Sequence, residues 1–109
     1  MPTDTERIRE LNDATRRFFT DGRVFVTSGV AALPPEAQAA ILERVRTFAD
    51  FTPDNDPYGE HDFGSFEHGA QTIFWKIDCY DREMNFGSPD PADPSVTTRV
   101  LTIMLAEEY

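Results

Sequence analysis

Nine consecutive residues, Thr72–Tyr80, alternate between two faces and fix the kind of body this chain can form. Ile73, Trp75, Ile77 and Cys79 fall on one side; Phe74, Lys76, Asp78 and Tyr80 fall on the other. A period of two is the signature of a half-buried β-strand, and the Ile-Trp-Ile face must be covered by a second layer. Phe63–Glu67 reads as a shorter strand that pairs with it through a turn at His68-Gly69. A third, Arg23–Thr27, is short and β-branched and stops at Ser28-Gly29.

The covering layer comes from the first half of the chain. Residues 4–19 place Ile8, Leu11, Thr15, Phe18 and Phe19 at spacings of three and four, with arginines and acids opposite. That predicts an amphipathic helix capped by Thr3 or Asp4 and ended at Asp21-Gly22. A second helix begins at Pro34-Pro35, where no backbone N–H is missed. It buries Ile41, Leu42, Val45, Phe48 and Phe51 and is closed by Pro53. Thr52–Gly64 and Asp81–Ser95 are turn chemistry throughout. In Val96–Glu107, the spacing of Val96, Val100, Ile103 and Met104 predicts a third helix, entered through Asp93-Pro94, although alternation also permits a strand. The expected fold class is α+β: a small antiparallel sheet of about three strands, with two or three helices packed on one face. With 109 residues, the chain is one domain, 1–109.

Charge narrows the function. Residues 1–46 hold seven acids and seven arginines and sum to zero. Residues 47–109 hold thirteen acids against Lys76, Arg82 and Arg99, so the entire net charge of −10 belongs to them. Such a field repels nucleic-acid phosphates and favours basic protein surfaces or cations. Lys76 and Arg82 are expected to pair internally with Asp78 or nearby acids. The start Met1-Pro2-Thr3-Asp4 has no charged-then-apolar signal pattern, and the longest apolar run, Ile103–Ala106, is far too short to span a bilayer. With Cys79 as the single cysteine, a cytoplasmic protein is expected.

Three blocks carry a likeness to known sequences. They are Asn55-Asp56-Pro57-Tyr58-Gly59-Glu60-His61-Asp62-Phe63-Gly64, Trp75-Lys76-Ile77-Asp78, and Asp90-Pro91-Ala92-Asp93-Pro94 followed by Arg99–Tyr109. Together they resemble the bacterial family catalogued as domain of unknown function 3768, over a span from Leu11 to Tyr109. The resemblance implies a small stand-alone cytoplasmic protein, often carried on plasmids and integrated mobile elements. It implies no reaction and no catalytic residue. Tyr is the commoner residue of that pattern where this chain has Cys79, which argues against a thiol mechanism.

The densest polar cluster is Asp54–Asp62. Counted from Asp54, the oxygen and glycine positions of a helix-loop-helix calcium loop are met by Asp54, Asp56, Gly59 and Asp62. Tyr58 and Ser65 occupy two ligand positions, the second being that of the bidentate Glu, so the loop fails as a calcium site. His61 and Asp62, with His68 nearby, are candidate ligands for zinc or iron, but His61 and His68 lie an odd number apart and no HExxH or paired CxxC occurs. His61 with Asp62 and Asp78 is the candidate acid–base set. The plain alternative is that the Asp and Asn side chains make turns while His61 satisfies nearby backbone.

The leading expectation is a non-enzymatic acidic interaction protein that binds a basic, nucleic-acid-handling protein by imitating phosphates, without a cofactor. Its contact residues are Asp54, Asp56, Glu60, Asp62, Asp78, Asp90 and Asp93, with Phe74 and Tyr80 as aromatic anchors. The alternative is a small metal-dependent or acid–base enzyme centred on Glu60-His61-Asp62. A third reading is a homodimer pairing its aromatic strand face.

Overall fold

The computed structural model describes residues 2–109. Helix α1 (Asp4–Phe18) starts at Thr3, whose hydroxyl accepts from the Glu6 N–H at 3.2 Å, and ends where Phe19 turns left-handed at φ 53°. Strand β1 (Gly22–Val26) follows, then a short α2 (Ser28–Ala31) and α3 (Pro35–Arg46). After a long loop come β2 (Phe63–His68), β3 (Gln71–Tyr80) and β4 (Thr98–Leu105), with 3₁₀ turns at Pro94–Val96 and Ala106–Glu108. No helix among the described residues is long and apolar enough to cross a membrane.

The class is α+β. The sheet has four strands in the order β1-β4-β3-β2, and β1 runs parallel to β4 while the other pairs are antiparallel. The extra strand is the segment expected to be helical: Thr98–Leu105 extends between β1 and β3 instead. The physical reason is its central position. Val100, Leu101, Ile103, Met104 and Leu105 are all buried, so both faces of this strand are apolar and its alternation is masked. Apolar residues on both faces leave an i, i+4 pairing that imitates a helix stripe. The turn after Val26 also continues farther than expected, into α2 at Ser28.

The core lies between the helices and one sheet face, with Val30, Ile41 and Val45 against Phe66, Ile73, Trp75, Ile77, Leu101 and Ile103. Leu42, Phe48 and Phe51 pack on its margin, the last two beyond the end of α3. In α1 the buried positions are polar. Asn12, Thr15 and Arg16 are inside, whereas Phe18, expected on the apolar face, is 66% exposed. On the opposite sheet face Val100 and Met104 are buried beside Phe74. There Phe74 meets Phe63 and Tyr109 edge-on, at ring separations of 5.3 and 5.7 Å.

Candidate functional site

The Asp54–Asp62 segment is held by α1 through main-chain contacts. Arg9 donates to the Gly59 carbonyl at 2.6 Å and the Asn12 amide to the Glu60 carbonyl at 2.9 Å. Arg7 does the same for the second loop, donating to the Ala92 carbonyl. These helix arginines therefore serve carbonyls and leave the loop carboxylates unneutralised. Among the described residues, only Asp13 and Asp78 meet an Arg or Lys within salt-bridge distance: Asp13 meets Arg16 at 3.0 Å and Asp78 meets Lys76 at 2.9 Å. Arg82 has no such partner, contrary to its expected internal pair.

His61 faces inward, away from its sequence neighbours Glu60 and Asp62. Its Nδ1 donates to Asp13 at 2.9 Å, its Nε2 lies 3.6 Å from Asp56, and its ring stacks on Phe51 with 3.7 Å between centroids. Arg16 stands behind this stack, its guanidinium carbon 5.5 Å from the Phe51 ring and 5.2 Å from Trp75. Asp56 is buried and also accepts from the His61 N–H, so it belongs to this clamp. The left-handed φ of 54° at His61 turns the backbone so that the flanking carboxylates point elsewhere.

Where they point is a separate cleft of about 240 Å³. Glu60, Asp62, Asp78 and Cys79 line it, with Asn12 on the α1 side and Pro91 on the far rim. Asp62 anchors the edge of β3 by accepting from the Ile77 N–H through its carbonyl. Burial against the cleft wall raises the Glu60 carboxyl above its ordinary value, and repulsion from Asp62 and Asp56 adds to it. Asp62 is raised for the same first reason, with Asp56 and Asp78 adding repulsion. Burial also pushes the Cys79 thiol up, which keeps it protonated and unreactive at neutral pH.

The remaining candidates are distributed around this cleft. Asp90 and Asp93 sit on either side of Pro91 and stabilise turns: Asp90 accepts from the Ala92 N–H, and Asp93 from the Ser95 hydroxyl and N–H. Those Ser95 bonds hold the Asp93 carboxyl below its ordinary value. Asp54 is on an exposed turn. Phe74 and Tyr80 lie on the open sheet face. The acid–base set is split: His61 lines one cavity with Phe51 and Asp56, while Asp62 and Asp78 line the other. Among the described residues, no three His, Cys, Asp or Glu side chains converge in a way that could hold a metal ion.

A family model matches residues 26–108, from the last residue of β1 to the C-terminal 3₁₀ turn. The chain belongs to that family, described as Protein of unknown function (DUF3768). No curated protein and no solved structure matches it. The matched span is shorter at its N-terminal end than the resemblance from Leu11 suggested, and it contains Glu60, Asp62 and Asp78 but not Asn12, Asp13 or Arg16.

Sequence reasoning named the three cleft carboxylates but missed Asn12, Arg16 and Arg99. Arg99 is 2% exposed and donates from Nε to Asn12 Oδ1 at 2.8 Å and from Nη2 to the Pro91 carbonyl. A usable signal existed in the strand register, since Arg99 lies opposite Cys79 on the core-facing side. It was invisible while that segment was read as a helix.

Neutralising a cleft carboxylate is expected to stabilise the fold. Both raised carboxyls are less favourable when ionised in the folded state than in the unfolded chain. This penalty is absent below their ordinary values of 4.5 and 3.8, grows between those and the raised values, and is constant above them. Glu60→Gln and Asp62→Asn should therefore each raise Tm at pH 7 by on the order of 1–3 °C, the effect being small because water screens part-exposed groups. The gain should vanish near pH 3.5, which thermal melts followed by circular dichroism across this range would check.

Proposed function

We propose that this chain is a small acidic, non-enzymatic interaction protein whose Glu60–Asp62–Asp78 cleft receives a basic side chain from a protein partner. The observation that carries the reading is the state of those carboxylates. Among the described residues neither Glu60 nor Asp62 meets a Lys or Arg within salt-bridge distance, and burial with repulsion from neighbouring carboxylates raises both, outweighing the pull of Arg99 on Glu60 and of a backbone hydrogen bond on Asp62. A Lys or Arg entering the cleft relieves that repulsion and gains charge-assisted hydrogen bonds. Exposed Asp54 and the Asp90–Asp93 turn extend the acidic rim, and Phe74 and Tyr80 on the open sheet face supply apolar contact.

The partner class follows from the charge. A net charge of −10 disfavours nucleic acid itself and favours the proteins whose basic surfaces normally hold it. We infer a nucleic-acid-handling protein of a defence or transfer system, in keeping with the mobile-element setting that the family resemblance implies, with the carboxylates standing in for phosphates. A cytoplasmic setting, where such proteins work, agrees with the single half-buried cysteine.

The test is parallel capture from the native host with wild-type protein and with the Glu60→Gln, Asp62→Asn, Asp78→Asn triple variant. A basic nucleic-acid-binding protein should be retained by the wild type and released by moderate salt. The triple variant should bind it at least about 100-fold more weakly, since each lost charge-assisted contact is worth about 1.5–3 kcal/mol. Equal capture by both proteins would overturn the reading.

A further inference from the structure

The two edges of the sheet are finished differently. In β2 the Asp62 carbonyl takes the Ile77 N–H, so the main-chain groups of Phe63, Ser65 and Glu67 point outward. That edge is guarded. Arg44 donates to the Glu67 carbonyl at 3.4 Å and lies over the Phe66 ring at 4.6 Å, and Glu67 adds its own charge. β1 has no such guard. The Thr27 N–H donates to the Ile103 carbonyl, so every second residue back from it, Phe25 and Arg23, also turns its main-chain groups towards β4. Gly22, Val24 and Val26 therefore aim their N–H and C=O groups away from the sheet, and no loop or helix backbone among the described residues meets them.

The side chains here are apolar for a free edge. Phe25 is 51% exposed, and Val26 is 39% exposed although it is registered with buried Ile103 on the core-facing side. The helical layer thus stops short of β1 and leaves its outer flank uncovered. The strand holds no Pro or Lys, and its one charge, Arg23, makes no ion pair among the described residues. A bare edge of this kind is a template for another strand.

We propose that β1 pairs antiparallel with β1 of a second copy, joining two four-stranded sheets into one across a twofold axis at Val24. The strand is self-complementary in that register. Val24 faces Val24, and Gly22, with no side chain, faces Val26, so every outward main-chain group of both strands finds a partner. Arg23 then stands opposite Phe25 at the closer-spaced pairs on the face away from the core, which lays a guanidinium against a ring on each side of the axis. Shifting the axis towards Gly22 brings in Asp21, whose left-handed φ of 56° ends the strand, and an axis at Arg23 also sets like charges opposite each other. Shifting it to Phe25 runs Gly22 into Ser28, where α2 begins. The interface shares no residue with the acidic cleft, so it stands or falls independently of the partner proposed above. A strand of 5 residues per copy is a small interface, and the dimer is weak, with a dissociation constant on the order of 10–100 µM.

The experiment is sedimentation equilibrium of the full chain at about 5–500 µM, a range over which the wild type should pass from monomer to dimer. Phe25→Lys removes the ring and sets a like charge against Arg23; it should weaken association at least about 30-fold. Combining it with Arg23→Glu places opposite charges at the same pair and should recover association to within about tenfold of wild type. Both side chains are exposed, so the monomer fold is kept, and thermal melts at low concentration verify it. A second measurement needs no variant: amide exchange at Gly22, Val24 and Val26 should slow as wild-type concentration rises, because those N–H groups bond only across the interface. A monomer at every concentration would leave the edge to a strand of some other protein and overturn the proposal. A dimer that Phe25→Lys leaves intact, a double variant no stronger than the single one, or exchange at these amides that ignores concentration would do the same.

Discussion

Replacing Arg16 with alanine should cost about 3–5 kcal/mol of folding free energy, a fall in Tm of roughly 15–25 °C. The side chain is wholly buried, and its Nη1 donates to the last carbonyls around the end of α3: Val45 at 2.9 Å, Arg46 at 3.3 Å and Phe48 at 2.9 Å. A helix C-terminus ends in carbonyls with no intrahelical donor and a partial negative charge, and here a side chain of another helix satisfies both needs. Nη2 meets Asp13, which in turn holds His61. Nε has no hydrogen-bond partner; the flat group lies instead near the faces of Phe51 and Trp75, so ring electrons stand in for an acceptor. Alanine would strand the Arg46 and Phe48 carbonyls, take one of two partners from Asp13 and leave a void. Lysine would keep the charge but lose the fork, and should recover only part of the loss. Chemical denaturation of the three proteins at pH 7 measures the series, and an Arg16→Ala loss below about 1 kcal/mol would show that the clamp carries little.

Gly64→Ala should cost about 2–4 kcal/mol for a different reason. Gly64 faces Trp75 across the β2–β3 pair, and a Cβ there would lie under 3.0 Å from three atoms of the indole, Nε1 among them. Trp75 cannot step aside. It is fully buried, with Phe48 at 5.5 Å, Phe51 at 6.1 Å and the Arg16 guanidinium around it. Overpacking of this kind forces the ring off its rotamer or separates two strands. Near-ultraviolet circular dichroism, which reports the Trp75 environment, should change along with the denaturation midpoint. A variant with an unchanged Trp signal and midpoint would mean that the strands have slack at this point.

The clamp bears on the functional reading. His61 is the residue that sequence chemistry singles out for catalysis, yet it is occupied by Asp13 and Phe51 in fastening the Asp54–Asp62 loop to α1. Fixing this loop is what sets Glu60 and Asp62 beside Asp78. The arginines of α1 contribute in the same way, spending their donors on loop carbonyls rather than on the acids. Glu60 and Asp62 keep clear of these arginines because the scaffold satisfies the backbone first.

The hairpin of β2 and β3 was legible in the letters, because one strict alternation with a Gly turn admits few other structures. So were the two longer helices, from their spacings and caps, and the segregation of charge, which is arithmetic. The strand at Thr98–Leu105 was not, since a central strand loses its alternation once both faces are buried and only its neighbours reveal which pattern is real. The polar interior of α1 was equally hidden. Asn12 and Arg16 occupy positions that an amphipathic pattern assigns to solvent, and they are buried because loop carbonyls and the end of α3 arrive there as acceptors. Local spacing determines which segments are stiff and which face is apolar. The placement of a charge beside a carbonyl, or of three carboxylates around one cleft, is decided only when segments distant in the chain are packed together.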